Sequence, residues 1–338
     1  MNAIITMTKD QSSATAITHG GIFHADEVFG TVILSKVMEN ISIARVFKVA
    51  EEANPEAVVF DIGSGRFDHH QKGGNGVREN GIPYAACGLL WKEYGMQICA
   101  NTANPERAFA MIDARLIAGI DANDNGYGER CDTAGMSVSA VISGFNPRWN
   151  EDETPDEKFL KAVEMAETIF DNTFKSVAST LEAESVVEDA IEKSEDDIVV
   201  LEHFVPWQGS LLHSRNPKAA SAKFIVFPSI RGGWNWQGIP IDSTTRNIRK
   251  PCPSNWNGLK DEELQKASGV KTATFVHQAG FIGGCETFDD TIKMAKEAIA
   301  AAWHFPRLKP EDSWFDDGNI YSKRRRRNYR NYATSPSV

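Results

Sequence analysis

The order of segments predicts an α/β protein: a mainly parallel sheet covered by helices, followed by a second, smaller α+β domain. Three observations carry that prediction. Short apolar segments alternate with amphipathic ones of helical length through the first 130 residues, the pattern of parallel strands joined by crossover helices. One long helical region follows, over about 155–193. Beyond it the texture changes to short strand-like runs broken by turn residues, closed by a single helical pattern.

Taken in order, "ATAIT" (14–18) reads as a strand ending at His19. After "HGGIFHAD", Val28, Phe29, Val32, Ile33 and Val37 recur at helical spacing and predict an amphipathic helix over 26–39. "IARVFKV" (43–49) alternates as a strand, and "AVVFDIG" (57–63) reads as a buried one. "YAACGLLWKEYG" predicts a helix closed by Gly95. Asn104 as N-cap and Pro105 at the first helical position open the next, to about Ala118. After the polar break "NPRWNEDETP", Thr154-Pro155-Asp156-Glu157 forms a capping box that starts the long helix. "IVVLEHFVPW", "AKFIVFPS", "NWQGIPI" and "TATFVHQAGFIGG" supply the later strands. A helix over 288–302 is capped by Thr287, with Asp289 and Asp290 where the helix dipole favours them. The expected domains are 1–195, with the long helix as its linker region, then 196–310, then a basic tail over 311–338 too poor in apolar residues to fold.

Composition narrows the function. The chain has 338 residues and a net charge of −10. Six cations (Lys323, Arg324, Arg325, Arg326, Arg327 and Arg330) sit in "SKRRRRNYRNYATSPSV" (322–338), which leaves −16 on the remainder (−10 less 6). Such a body repels nucleic acid at long range unless cations intervene. Five scattered cysteines, never spaced C-x-x-C, argue against a disulfide framework or zinc ribbon and fit a reducing cytoplasm. No apolar run reaches about 18 residues, so no membrane span is expected, and the N-terminus lacks the pattern of a signal or transit peptide. The sequence leaves the oligomeric state open.

Eight histidines occur, and four lie in two tight groups, His19 with His24 and His69 with His70. Each group has carboxylates beside it: Asp26 and Glu27 for the first, Asp61 and Asp68 for the second. Both groups follow the C-terminal end of an expected strand, where α/β sheets gather their ligand sites. His19 and Asp61 should therefore meet. "GIDANDNGYG" (119–128) adds Asp121 and Asp124 after the 105–118 helix. Several carboxylates buried together are costly without a cation. Imidazole with carboxylate and no thiolate suits manganese, zinc or iron. Six or so donors are too many for one tetrahedral ion and appropriate for a pair, the arrangement that activates water against phosphorus.

At these residues the sequence resembles the DHH phosphoesterase superfamily, named for a triplet like Asp68-His69-His70. More narrowly it resembles the melanocyte proliferating gene family, through "THGGIFHADE", "VVFDIGSGRFDHHQ", "IDANDNG", "FPSIRGGWNWQ" and "FVHQAGFIGG", in order over about 15–305. The resemblance implies a DHH-like catalytic domain, two divalent metal ions (manganese, with magnesium, zinc or iron as alternatives) and 3′–5′ exoribonuclease activity on RNA or a short oligonucleotide. It implies a metal role for His19, His24, Asp26, Asp61 and His69, with Asp61 bridging, and for Asp121 or Asp124. Asp68 would orient His69, and His70 would face the scissile phosphate. Arg231, Gly232, His277, Gly283 and Gly284 look like the substrate-holding half, since Arg grips phosphate bidentately and glycine lets phosphate approach backbone N–H groups. The first motif of the superfamily is H-x-x-x-D-x-D; here His24 stands for its first Asp, one residue later. Hydrolysis of a small phosphate such as pyrophosphate or a nucleoside bisphosphate is the alternative. A metal-stabilised RNA-associated protein without turnover, anchored by its tail, is another.

Overall fold

A four-stranded parallel sheet comes first, formed from β1 (Ile4–Thr8), β2 (Ala16–His19), β3 (Asn40–Val46) and β4 (Val58–Val59) in the order β1-β3-β2-β4. The computed structural model describes residues 3–127, 136–243 and 247–301. Helix α1 (Ala25–Ser35) joins β2 to β3 and is buried on every side. Its apolar side chains Val28, Phe29, Val32, Ile33 and Leu34 have no exposed surface, so burial overrides the amphipathic pattern expected for a surface helix.

Helices α2 (Ala86–Cys99) and α3 (Pro105–Ile112) follow, then a π-helical turn over Asp113–Ile117, α4 (Ala118–Asp124) and α5 (Val138–Ser143). Asn104 caps α3 through Arg107 N as its sequence predicts. Gly95 does not close α2, which runs on to Cys99. A Cβ there would stand 2.8 Å from both Trp91 and Phe109, whose rings stack at 5.3 Å, so the glycine serves a close approach inside the helix. The helix expected to end near Ala118 continues through the π turn to Asp124, and both candidate carboxylates lie on helix.

Helix α6 (Pro155–Glu192) matches the capping-box prediction, with Thr154 N donating to Glu157 Oε2 at 2.6 Å. It packs on α1 and α3 and shares their core, with Phe159 and Phe170 buried beside Phe29 and Trp91. Lys36 fixes the contact through Glu167 and Asp171, each at 2.8 Å. Further along are β5 (Ile198–Val200), α7 (Gln208–His213), α8 (Pro217–Ser221) and β6 (Phe224–Pro228), with β5 and β6 parallel. Then come β7 (Trp234–Gly238), a 3₁₀ turn at Ser254–Trp256, α9 (Asp261–Ser268), β8 (Ala273–Val276), β9 (Ile282–Cys285) and α10 (Phe288–Ala300). β9 lies between β7 and β8 and is antiparallel to both.

The class is α/β. The chain divides into two units, Met1–Gly232 with Ile239–Arg249, and Gly233–Gly238 with Lys250–Val338. No helix among the described residues is long and apolar enough to cross a membrane. The basic tail, the last residue of the expected 288–302 helix and Cys131 lie outside the described residues.

Candidate metal centre

Parallel pairing of β2 with β4 sets Ala16 beside Val58 and Ile17 beside Val59, so both strands end on one rim. His19 closes β2, and Asp61 follows β4 by two residues. The 42 residues between them become a contact: His19 Nε2 lies 3.2 Å from Asp61 Oδ2. Asp61 adopts a left-handed φ of 55°, which Asp tolerates better than most residues. Its N–H donates to Phe67 O at 2.9 Å, and the turn thus closed brings the Asp68-His69-His70 triplet back to the rim.

Two further carboxylates arrive on α1. His24 is the N-cap, and its N–H donates to Glu27 Oε2 at 2.9 Å. Asp26 and Glu27 occupy the first turn, where the helix dipole favours anions, and both are buried. Asp26 also serves α2, whose own N-cap is Ala85 and offers no side-chain acceptor. Ala86 N and Cys87 N donate to Asp26 at 2.9 and 2.6 Å, and Gly88 N donates to Asp121 Oδ1 at 2.9 Å. The orphan N–H groups of one helix are thus satisfied by carboxylates borrowed from α1 and α4.

His69 is held by Asp124, whose Oδ2 lies 2.9 Å from His69 Nε2. The other ring nitrogen, Nδ1, faces Asp61 Oδ1 at 3.6 Å and Asp26 Oδ2 at 3.8 Å. Asp68 does not orient His69 as expected. It accepts from Ser64 N (2.6 Å) and His70 N (3.0 Å) and lies 2.9 Å from His70 Nδ1, because the tight turn aims its carboxylate at the next residue but one.

A cavity of about 310 Å³ opens here, lined by His24, Asp26, Asp61, His69, His70 and Asp124 with Ala25, Ile120, Asn123, Ser139 and Ser143. Its electrostatics are set by carboxylates crowded together. Burial raises Asp26 well above the usual carboxyl range, and the charges of Asp61, Asp124 and Asp121 add to the rise. Burial opposes the charged form of His19, yet Asp61 and Glu27 outweigh it and carry His19 to about 10. His69 rises against its own burial because of Asp124 and Asp61. Asp68 is the exception: backbone and side-chain hydrogen bonds from His70 and Ser64 overcome burial and hold it low. Asp61 Oδ1 and His69 Nδ1 are buried and have no hydrogen-bond partner. Buried polar atoms are ordinarily satisfied, and these two belong to a set of nitrogen and oxygen donors that fits divalent cations.

The family model MYG1_exonuc, described as an uncharacterised protein family (UPF0160), matches residues 15–299. The chain belongs to the MYG1 family. It is 31% identical over 321 residues to the MYG1 protein of Dictyostelium discoideum, covering 85% of this chain and 97% of that one. To the MYG1 protein YER156C of Saccharomyces cerevisiae it is 30% identical over 323 residues, covering 84% and 95%. To the MYG1 exonuclease of Homo sapiens it is 25% identical over 331 residues, covering 86% and 87%. No solved structure matches the chain.

Within this MYG1 fold the two carboxylates of "DAND" separate. Asp124 lines the cavity, whereas Asp121 has no exposed surface and pairs with Arg78. Burial lifts the Asp121 carboxyl to about 7, with Arg78 and the Gly88 N–H pulling it back. Arg78, buried and also 2.7 Å from Asp113, had no signal in the sequence. Glu27 was visible beside Asp26 but carried no assigned role. Arg231 and Gly232 form an exposed turn after β6, with Gly232 at φ 91°. His277 is exposed in the β8–β9 hairpin, and Gly283 and Gly284 lie within β9.

Proposed function

We propose that this protein is a two-metal-dependent phosphohydrolase of DHH-like architecture that cleaves phosphodiesters as an exonuclease, 3′ to 5′, on RNA or a short oligonucleotide. The observation that carries the reading is the double facing of Asp61. Its Oδ2 looks to His19 (3.2 Å) and its Oδ1 to His69 (3.6 Å) and His70 (3.5 Å), as a carboxylate shared by two cations requires. His19, His24 and Asp61 Oδ2 would hold one ion; Asp26, Asp61 Oδ1, His69 and Asp124 would hold the other. Manganese suits the second set best, with magnesium, zinc or iron as alternatives. When bound, such a pair supplies Lewis acidity and a water acidic enough to attack phosphorus at neutral pH.

The protein's own groups do the rest. Asp68, held low, keeps the Nδ1 proton of His70, so the far nitrogen of that imidazole is left to meet the phosphate or the leaving oxygen. His70 is 61% exposed at its side chain, so substrate can reach it. Asp121 and Arg78 hold the N-terminus of α2, and through it Asp26, in place. Arg231, Gly232 and His277 would bind substrate beyond the scissile bond, whereas Gly283 and Gly284 are buried within β9, paired on both sides by β7 and β8. Relatives named MYG1 exonuclease support a nucleic-acid substrate. The test is Asp61→Asn assayed on a labelled oligoribonucleotide with manganese; retention of full activity removes the reading.

The cavity favours a second reading. At about 310 Å³ it lies at the small end of ligand sites, which suits pyrophosphate or a nucleoside bisphosphate. Product release measured in parallel on RNA and on those phosphates ranks the two.

A further inference from the structure

We infer that Glu27 is itself a metal ligand, completing with His19, His24 and Asp61 an imidazole-rich site that retains a transition metal, while the other site exchanges its ion freely. The inference rests on the two-cation reading above and adds a residue and an asymmetry to it.

Glu27 has no exposed surface. One oxygen is used: Oε2 accepts the His24 N–H at 2.9 Å. The other, Oε1, has no hydrogen-bond partner although it is buried. Arg45 gives its guanidinium to Asp156 and to Gly21 O, each at 2.8 Å, and leaves Oε1 alone.

What Oε1 faces is the informative part. It stands 2.9 Å from His19 Nε2, and Asp61 Oδ2 stands 3.2 Å from the same nitrogen. The other ring nitrogen, Nδ1, is 3.1 Å from Gly20 O. A carbonyl only accepts, so in the neutral ring Nδ1 carries the hydrogen and Nε2 carries the lone pair. Three lone pairs from Glu27, His19 and Asp61 then point at one another. That arrangement calls for a positive charge among them, either the proton that Asp61 and Glu27 favour on His19 or a metal ion in its place. A metal-bound histidine typically donates its second N–H to a backbone carbonyl, which is the bond His19 makes to Gly20. His24 joins the group, since a ligand atom from each of His19, His24 and Glu27 lies within 4.8 Å of the others.

The two sets of donors differ in kind. His19, His24, Glu27 and Asp61 give two nitrogens and two carboxylates, whereas Asp26, Asp61, His69 and Asp124 give one nitrogen and three carboxylates. Imidazole suits zinc, iron and copper; carboxylate-rich sets suit magnesium and manganese. The first site is therefore expected to survive dialysis with zinc or iron, and the second to load and unload manganese. In the sequence, Glu27 follows the Asp26 of the first motif, so the added carboxylate comes on the same helical turn as the expected ligands.

The experiment strips the full chain of metal, reloads it with zinc and manganese together, dialyses it and counts ions by mass spectrometry. Wild type is expected to keep about one equivalent of zinc and to take up manganese at a second, weaker site by paramagnetic titration. Glu27→Gln keeps an acceptor for His24 N–H and should fold. It is expected to bind zinc on the order of 100-fold more weakly while its manganese titration is preserved, and Glu27→Asp should recover part of the loss. Zinc retained by Glu27→Gln as by wild type overturns the inference and leaves the two-cation reading standing. Failure of wild type to bind either ion overturns both.

Discussion

The rim of the first sheet and the β8–β9 hairpin carry the same residue types, histidines beside glycines at strand ends, yet they dispose of their polar atoms in opposite ways. On the rim, Asp61 Oδ1, His69 Nδ1 and Glu27 Oε1 are buried with no hydrogen-bond partner. In the hairpin the protein supplies the partners. His277 N donates to Ile282 O at 2.9 Å, and His277 Nδ1 accepts from Ala279 N at 3.1 Å. Gly283 and Gly284 lie where a Cβ would meet Trp236 at 2.5 Å and Phe275 at 2.9 Å. Residue type alone therefore marks both regions alike, and the hydrogen-bond ledger separates them. The rim has the signature of an ion site, and the hairpin that of a braced surface presenting an exposed imidazole.

That contrast can be broken from either side. The largest effect is expected at the rim: Asp61→Asn should lower kcat on an oligoribonucleotide by about 10³-fold or more, since losing several kcal/mol of charge stabilisation is worth that factor. Steady-state kinetics with manganese checks it. Next is the support behind the rim. Arg78→Ala leaves Asp121 buried without its cation and should cost about 3–5 kcal/mol in denaturant unfolding.

The cost of losing Arg78 should depend on pH. Asp121 already rises to about 7 through burial, tempered by Arg78, so removing Arg78 raises it further. A raised carboxyl binds more protons folded than unfolded, so stability falls as pH climbs from its ordinary range through the raised value. The penalty of Arg78→Ala should thus be smaller at pH 5 than at pH 8.

In the hairpin, Gly283→Ala should cost about 1–3 kcal/mol of stability by overpacking Trp236, read as a lowered Tm. The smallest effect is expected from Arg231→Ala. Loss of one exposed cation should raise KM about tenfold with kcat held, the mark of binding energy shared by ground and transition states. A fall in kcat there would place the turn after β6 in the chemistry instead.

How much of this was legible beforehand depends on where the information lies. Local signals read well: Asn104-Pro105, the Thr154–Glu157 box and Thr287 all cap helices as their sequences predict. Strand ends gave the meeting of His19 with Asp61, because parallel pairing carries both to one rim. Signals that depend on distant neighbours did not read. Gly95 imitates a helix stop until Phe109 and Trp91 are seen against it. Strand β1 and the short helices α5, α7, α8 and α9 have too few residues for periodicity to speak.

At the site the same division holds. His19, His24, Asp26, Asp61, His69 and His70 were readable as clusters beside strand ends. Asp121 and Asp124 were not separable, since two carboxylates three positions apart on one helix look alike until Arg78, 43 positions upstream, claims one of them. The partner of Asp68 was misread for a related reason, because only the turn's backbone decides that its carboxylate meets His70.

The central claim is that Asp61 is shared between two cations. Anomalous diffraction from a crystal soaked in manganese tests it most directly. The account predicts two peaks, one on each side of the Asp61 carboxylate, the first towards His19 and the second towards His69. A single peak that leaves one Asp61 oxygen uncoordinated, or no peak under saturating manganese, would contradict it.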